Sequence, residues 1–185
     1  MVHRGLFTTQ WPPHRGAACF STFGRFKRHP IMSEAHRPSP ERNADQEQCV
    51  RRYEAMEASK DRFFFDVEEF ELIVDHYLEG NEPRKAARAV EFAKQLHPSS
   101  LQITFCEAVV MMALGRLSKA LELLDTVEKV EPWNEDVQLN KAGIYSQQRN
   151  HRRAVEHYKR ALDLAEEGAD EIHLDLAFEY ENLED

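Results

Sequence analysis

Few residues in this sequence have the types and spacing that chemistry requires. Asp170 and His173 stand three residues apart, which suits two metal ligands on one helix, but a bundle metal site needs a second such pair and the sequence lacks it. Cys106 has no base beside it that would activate its thiol. The sequence shows no phosphate-binding loop and no nucleophile elbow. We therefore predict no catalytic, cofactor-binding or metal-binding residues, and expect that the protein is not an enzyme.

The composition is typical of a helical protein without a membrane-spanning segment. Of the 185 residues, 42% are hydrophobic, while only 7 are Gly and 8 are Pro, which argues against an all-β fold. No apolar run approaches the length of a transmembrane helix. The cysteines Cys19, Cys49 and Cys106 are odd in number and scattered, which argues against a disulfide framework and favours a reducing compartment. We expect a cytoplasmic protein with no membrane partner.

Charge is distributed unevenly along the chain. Residues 1–31 carry five of the 24 basic groups and no acidic group. The remaining residues, 32–185, hold 19 basic and 33 acidic groups, a net charge of about −14. A surface this acidic repels phosphate backbones, so we predict no nucleic-acid partner.

The first 44 residues share no pattern with the rest and form a predicted disordered leader. Residues 1–31 are basic, as in a mitochondrial targeting segment. The other interpretation is that Met32 is the true start and that the upstream stretch is not native. We favour the second, because prolines and glycines would interrupt a targeting helix. Residues 33–44 are polar and contain further prolines.

A 34-residue period organises the rest of the sequence. Ala86, Ala120 and Ala154 are each separated by 34 residues. Two further sets keep the same step: Tyr77, Met111 and Tyr145, and Pro98 and Pro132. Such a period indicates an array of helix pairs. The predicted units are 67–100, 101–134, 135–168 and a partial unit, 170–185.

Each unit is predicted to contain two helices. In the first unit, Asp66 is a candidate N-cap for a helix over 67–79, Gly80 and Asn81 break that helix, and the next begins at Pro83. Short alanine side chains let the two backbones approach closely. One pair cannot bury its own apolar face, so neighbouring pairs must stack.

The pattern resembles the tetratricopeptide repeat (TPR), a helix–turn–helix unit of 34 residues. The residues that match its motif include Phe70, Ile73, Tyr77, Ala86, Val90, Ala93, Pro98, Ala108, Met111, Gly115, Ala120, Leu124, Val127, Pro132, Ala142, Tyr145, Ala154, Tyr158, Ala161, Leu176, Ala177 and Tyr180. Val74, Thr104, Glu107 and Glu166 depart from it. The resemblance covers 67–185 and implies an all-α fold, a right-handed α-solenoid of antiparallel helix pairs.

The two ends of the array carry separate predictions. Residues 45–66 are predicted to form a capping helix and connector, with a degenerate repeat as the alternative. At the other end Leu176, Tyr180 and Leu183 would lack part of their cover, because the chain stops inside the fourth unit. We therefore expect a fragment of a longer array. A monomer is expected, with self-association through the last helix as the alternative.

The resemblance also implies a binding surface, because in this family the first helix of each unit lines a concave face. The positions it indicates here are Glu68, Glu71, Asp75, Glu79, Phe105, Val109, Met112, Leu139, Leu174 and Phe178. They combine acidic and apolar side chains, which favours a protein or peptide partner with basic and hydrophobic residues. The absence of Lys and Arg argues against the clamp that some family members use for a carboxylate. The alternative is that the acids are merely solvated and that Phe105 and Met112 are packing residues.

Two functions remain open for such a surface. The first is a non-catalytic protein–protein interaction module or scaffold. The second is a regulatory or substrate-recruiting TPR segment of a larger enzyme whose catalytic domain is absent from this chain.

Overall fold

The structure, a computed structural model, describes residues 40–59, 62–165 and 169–184. Within these ranges the chain forms eight helices and no strand. The helices are α1 (Pro40–Ala58), α2 (Val67–Glu79), α3 (Pro83–Leu96), α4 (Leu101–Ala113), α5 (Leu117–Val130), α6 (Glu135–Gln147), α7 (His151–Leu164) and α8 (Ala169–Glu184). The segment 1–31, with its targeting and non-native interpretations, lies outside the described residues. No helix in the described ranges is both long and apolar enough to cross a membrane.

The helices alternate between two roles. The A helices are α2, α4, α6 and α8, and the B helices are α3, α5 and α7. Each helix packs against the next in the chain, and the A helices α2 and α4, and α4 and α6, also contact each other directly. Stacked pairs of this kind form an α-solenoid, which confirms the predicted all-α solenoid fold.

Alanines at the repeat positions set the distance between the paired helices. Ala108 and Ala142 in the A helices are fully buried, as are Ala120 and Ala154 in the B helices. Side chains this short allow backbones to approach closely, while larger neighbours such as Leu124 fill the space around them. The buried hydrophobic residues form two clusters, a larger one from Cys49 to Ile144 and a smaller one from Ala142 to Leu176. The core is therefore spread along the array rather than centred in one unit.

Polar side chains fix where the A helices begin. Asp66 accepts a hydrogen bond from the backbone N–H of Glu69 at 2.8 Å, and the Glu69 carboxylate accepts one from the Asp66 N–H in return. Ser100 and Asn134 cap α4 and α6 in the same way as Asp66, since each side-chain oxygen accepts a hydrogen bond from the backbone N–H three residues later. Each cap satisfies an otherwise unpaired donor, which stabilises the helix by about 0.5–2 kcal/mol.

The turns from A to B helix repeat one backbone conformation. Asn81, Gly115 and Arg149 all have positive φ, at 58°, 72° and 57°. They are 34 residues apart, and in each turn the next residue donates its N–H to the carbonyl five residues earlier, as in Glu82 to Tyr77 at 2.7 Å. This is the Schellman arrangement, which favours glycine. Only the second unit has glycine there.

Helix α1 begins earlier than predicted. Residues 40–44, predicted to belong to the disordered leader, form its first turn, because a proline is tolerated where no backbone N–H is needed. Cys49, Val50, Tyr53 and Met56 are its buried residues. The spacing of Cys49, Tyr53 and Met56, four and then three residues, matches that of Ala86, Val90 and Ala93, each of which lies 37 residues later. The helix therefore covers α2 as predicted for a cap, and does so with the residue spacing of a B helix.

The strained turn residue gives a stability test. Arg149→Gly is expected to raise the free energy of unfolding by about 0.5–1 kcal/mol, because glycine adopts positive φ without the clash that a Cβ causes. Urea denaturation followed by circular dichroism measures this. Gly115→Ala should cost about 1 kcal/mol, since a Cβ there meets no atom within 4 Å and only the backbone is strained. Equal stabilisation by Arg149→Ala would show that lost charge, and not φ, is the cause.

Candidate partner-binding face

The predicted acidic positions lie along one side of α2. Glu68, Glu71, Asp75 and Glu79 follow each other at spacings of three and four residues, which places them on one stripe of the helix. Glu68 and Glu79 are exposed, Glu71 is half-buried and Asp75 is buried. The stripe therefore descends from solvent into the contact between α2 and its neighbours.

The thiol of Cys106 shows that this stripe faces α4. Cys106 is fully buried, and burial raises the pKa of its thiol well above 9.0, with the negative charges of Glu71 and Asp75 raising it further. Charges act on a thiol in this way only at short range. Helices α2 and α4 are in direct contact, and within the stripe Glu71 and Asp75 are the residues whose charge reaches Cys106.

The predicted apolar positions divide by exposure. Phe105 is 3% exposed and Met112 is 6% exposed, so both lie in the core beneath the face, where they act as packing residues. Val109 and Leu139 are half-buried on α4 and α6. The accessible apolar surface in the middle of the face therefore comes from Val109 and Leu139 and not from Phe105 and Met112.

The last A helix supplies the most open apolar positions. Leu174 is 62% exposed and Phe178 is half-buried. Tyr180 and Leu183 on the same helix are exposed as well, but neither is among the predicted positions of the face. The face therefore runs from carboxylates at α2 to apolar side chains at α8.

The described residues hold no arrangement suited to a metal ion. No group of three or more His, Cys, Asp or Glu side chains comes together in these ranges. His173, one member of the spaced pair, instead has its Nδ1 2.6 Å from the Ala169 carbonyl oxygen of its own helix, where the N–H can donate.

A buried polar network behind the face was missed by sequence reasoning. Lys141 of α6 is 3% exposed. Its Nζ donates to Asp125 at 2.5 Å and to Glu128, both on α5. Burial opposes the charge on Lys141, but these two carboxylates outweigh it and raise its pKa. Burial likewise opposes the charge on Glu128, and hydrogen bonds from Lys141 and Gln138 outweigh it and lower its pKa.

The network continues into α7 through an amide. Gln138 donates to Glu128 at 2.7 Å, and its oxygen lies 2.9 Å from Nδ1 of His157. Since that oxygen can only accept, the Nδ1 of His157 carries the proton. The His157 ring also stacks on Tyr145, with centroids 5.2 Å apart. The sequence did contain a signal for this network, because Lys141 stands 34 residues after Glu107 and so places a lysine at a repeat position that carries a glutamate in the preceding unit.

A second buried carboxylate anchors α8. Glu179 is 1% exposed. It accepts a hydrogen bond from Ser146 at 2.5 Å and lies 2.7 Å from Nδ1 of His151. Since both partners belong to the preceding helix pair, this carboxylate fixes α8, and with it Leu174, against the array.

Comparison with known proteins identifies the architecture. No protein-family model matches the sequence, and no curated protein matches it. A solved structure described as "MamA AMB-1 P212121" aligns with a TM-score of 0.51 and 18% identity, over 77% of this chain and 82% of that chain. MamA is a TPR-like protein. The fold is therefore a TPR-like helical repeat. At this identity the likeness shows the fold alone.

The titration of His157 gives a pH test of the network behind the face. Burial, followed by the charges of Lys141 and Arg160, lowers the pKa of His157 below its ordinary value of 6.5, against weaker opposing effects of Glu128 and Glu156. As the pH falls below 6.5, His157 therefore binds a proton more readily in the unfolded chain than in the folded chain, and the free energy of unfolding decreases. His157→Gln, which retains a donor for Gln138, should reduce the loss measured by urea denaturation between about pH 7.5 and about pH 5.5. An unchanged loss would contradict the assignment.

The reactivity of Cys106 tests the packing beneath the face. Because burial is the main cause of its raised pKa, iodoacetamide at about pH 8 should label Cys106 at least about a hundredfold more slowly in native than in urea-denatured protein. Peptide mapping by mass spectrometry measures this. Glu71→Gln should leave the protection largely in place, since its charge is the lesser cause. Rapid native labelling would show that α4 is not packed as described.

Proposed function

We propose that the chain is a non-catalytic protein-interaction module, and that the A-helix face binds a peptide or helix carrying basic and hydrophobic residues. The observation that carries the proposal is the graded face itself, with carboxylates on α2 and accessible apolar side chains from Val109 to Leu174. A solenoid presents such a face continuously, because each unit adds one A helix to it.

Charge complementarity supports the partner's chemistry. Glu68 and Glu79 are exposed and Glu71 is half-buried, so the α2 end of the face is negative. No Lys or Arg occupies any of the predicted positions. Lysine or arginine side chains of a partner would meet opposite charge there, which accelerates association and selects against acidic peptides.

Apolar contact supplies the second part of the proposal. Val109 and Leu139 remain half-exposed between the acidic end and α8. Phe105 and Met112 lie beneath them and give the face a rigid floor rather than direct contacts. Apolar area removed from water stabilises a complex by about 25 cal/mol per Å² before the costs of association, so exposed Leu174 is the largest single contributor expected.

A charge-reversal experiment tests the acidic end. A fluorescein-labelled peptide of alternating lysine and leucine serves as the probe, and one of alternating glutamate and leucine as its counterpart. Fluorescence anisotropy should show that Glu68→Lys/Glu79→Lys weakens binding of the basic probe at least about tenfold, roughly 1.4 kcal/mol. Glu122→Lys/Glu156→Lys makes the same change of charge on exposed B-helix positions and should alter it no more than about twofold. Equal effects of the two pairs would show attraction to net charge alone.

A paired substitution on α8 tests the apolar end. Leu174→Asp should weaken binding of the basic probe by about three- to tenfold, because an apolar contact is lost. Leu183→Asp changes an exposed leucine outside the predicted positions and should have little effect. Both variants should keep the helical circular dichroism of the parent. If the two variants bind alike, the face does not extend to α8.

A further inference from the structure

A cavity separates helices α3 and α4 at a place where a side chain of the repeat pattern is missing. It has a volume of about 570 Å³ and opens beside the start of α5. Its floor is apolar, formed by Val90, Val110, Met111 and Leu114, while Arg84 and Arg116 lie on its rim. None of its lining residues belongs to the predicted A-helix face. Cavities of this volume are within the range of ligand sites.

The cavity lies where the other units place a tyrosine. Met111 stands 34 residues from both Tyr77 and Tyr145. The ring of Tyr77 packs on Tyr53 of α1, with centroids 6.4 Å apart, and its hydroxyl donates to the neighbouring Glu54 at 3.4 Å.

The neighbours of the Tyr77 ring have equivalents in the cavity wall. Three of the four buried residues of α1 correspond to three of the four of α3 at a step of 37 residues, and this step relates Tyr53 to Val90 and Glu54 to Glu91. Val90 and Glu91 both line the cavity. The cavity is therefore the aromatic slot of the second unit, with a narrower methionine in place of the ring.

The cation that covers the ring is still present. Lys85 lies over the ring of Tyr77 and Arg153 over the ring of Tyr145, each at 5.3 Å from the centroid and each eight residues after its tyrosine. Lys119 stands eight residues after Met111.

Lys119 has no ring beneath it and pairs with Glu122 instead. The two atoms are 3.1 Å apart, and both side chains are more than half exposed. Exposed pairs contribute little to stability, so Lys119 can turn over an incoming ring at small cost.

We propose that this slot is a second interaction site, which takes one aromatic side chain from a partner protein. The ring would lie on Met111 and Val90, and Lys119, which does not line the cavity, would turn over it. Carboxylates next to that aromatic residue would meet Arg84 and Arg116, while Lys94 and Glu107 neutralise each other at 2.7 Å and Glu91 supplies one opposing negative charge. The site therefore selects an aromatic residue flanked by Asp or Glu, the opposite charge preference to that of the A-helix face.

A defined peptide tests the proposal on the full chain. The probe is unlabelled Asp-Glu-Tyr-Glu-Asp, compared with the same peptide carrying Leu in place of Tyr. Isothermal titration calorimetry should show saturable binding of the first at submillimolar concentration and at least about tenfold weaker binding of the second. Equal binding of the two, or no binding of either, would overturn the proposal.

Variants at the slot separate its parts. Met111→Tyr should fill the slot with the chain's own ring and weaken binding of the tyrosine peptide at least about tenfold. Met111→Leu should change the affinity for that peptide by no more than about twofold. Lys119→Ala should weaken it about threefold through loss of the contact to the ring. Wild-type affinity in a folded Met111→Tyr variant would refute the site.

Two controls keep the result unambiguous. Thermal unfolding should show Met111→Tyr melting no lower than the parent, and if it does not fold, the Tyr-to-Leu comparison and Lys119→Ala decide the question. Glu68→Lys/Glu79→Lys, which tests the A-helix face, should not weaken the acidic peptide. A loss in that variant equal to the loss in Met111→Tyr would overturn the assignment to the slot.

Discussion

The close approach of paired helices at alanine is the constraint on which the rest of the structure depends. Ala86, Ala120 and Ala154 admit no bulk between the backbones, so each pair is fixed at a short distance. A pair so narrow cannot bury its own larger side chains, and these must pack against the next pair. Stacking follows from this, and so does an extended face of A helices. The face of A helices is therefore a consequence of the packing and requires no further structural element.

The same dependence explains how much the sequence could predict. Periodicity reported the positions that every unit must satisfy, such as the alanines and the helix caps Asp66 and Asn134, because those positions recur. It could not report what happens only once. Lys141 is buried because two carboxylates happen to lie on the adjacent helix, and Glu179 because Ser146 and His151 meet it. The contact between Glu128 and Lys141 keeps the 34-residue step from Lys94 and Glu107 with the charges exchanged, whereas the partners of Glu179 are distant in sequence and follow no period.

The predicted face illustrates the same limit within one surface. The family positions assign the face to the A helices, and two of these, α2 and α4, are in direct contact, while the binding positions themselves stay a prediction. They do not indicate depth, because the burial of a side chain also depends on the residues that the neighbouring helices place over it. Phe105 and Met112 are therefore in the core, while Val109 and Leu139 remain accessible. Spacing gives the helix face, whereas burial depends on the neighbouring units.

The contacts between units also contain information that the period itself lacks. Lys94 of α3 pairs with Glu107 of α4, and 34 residues later the pair recurs with its signs reversed, as Glu128 and Lys141. If α3 packed against α6, Lys94, whose side chain is 50% exposed, would face Lys141, which is 3% exposed. A second positive charge beside a buried ammonium group is unfavourable, so this mismatched stacking is penalised. The short connections between successive helices already favour stacking in sequence order, and the reversal of charge adds to that preference.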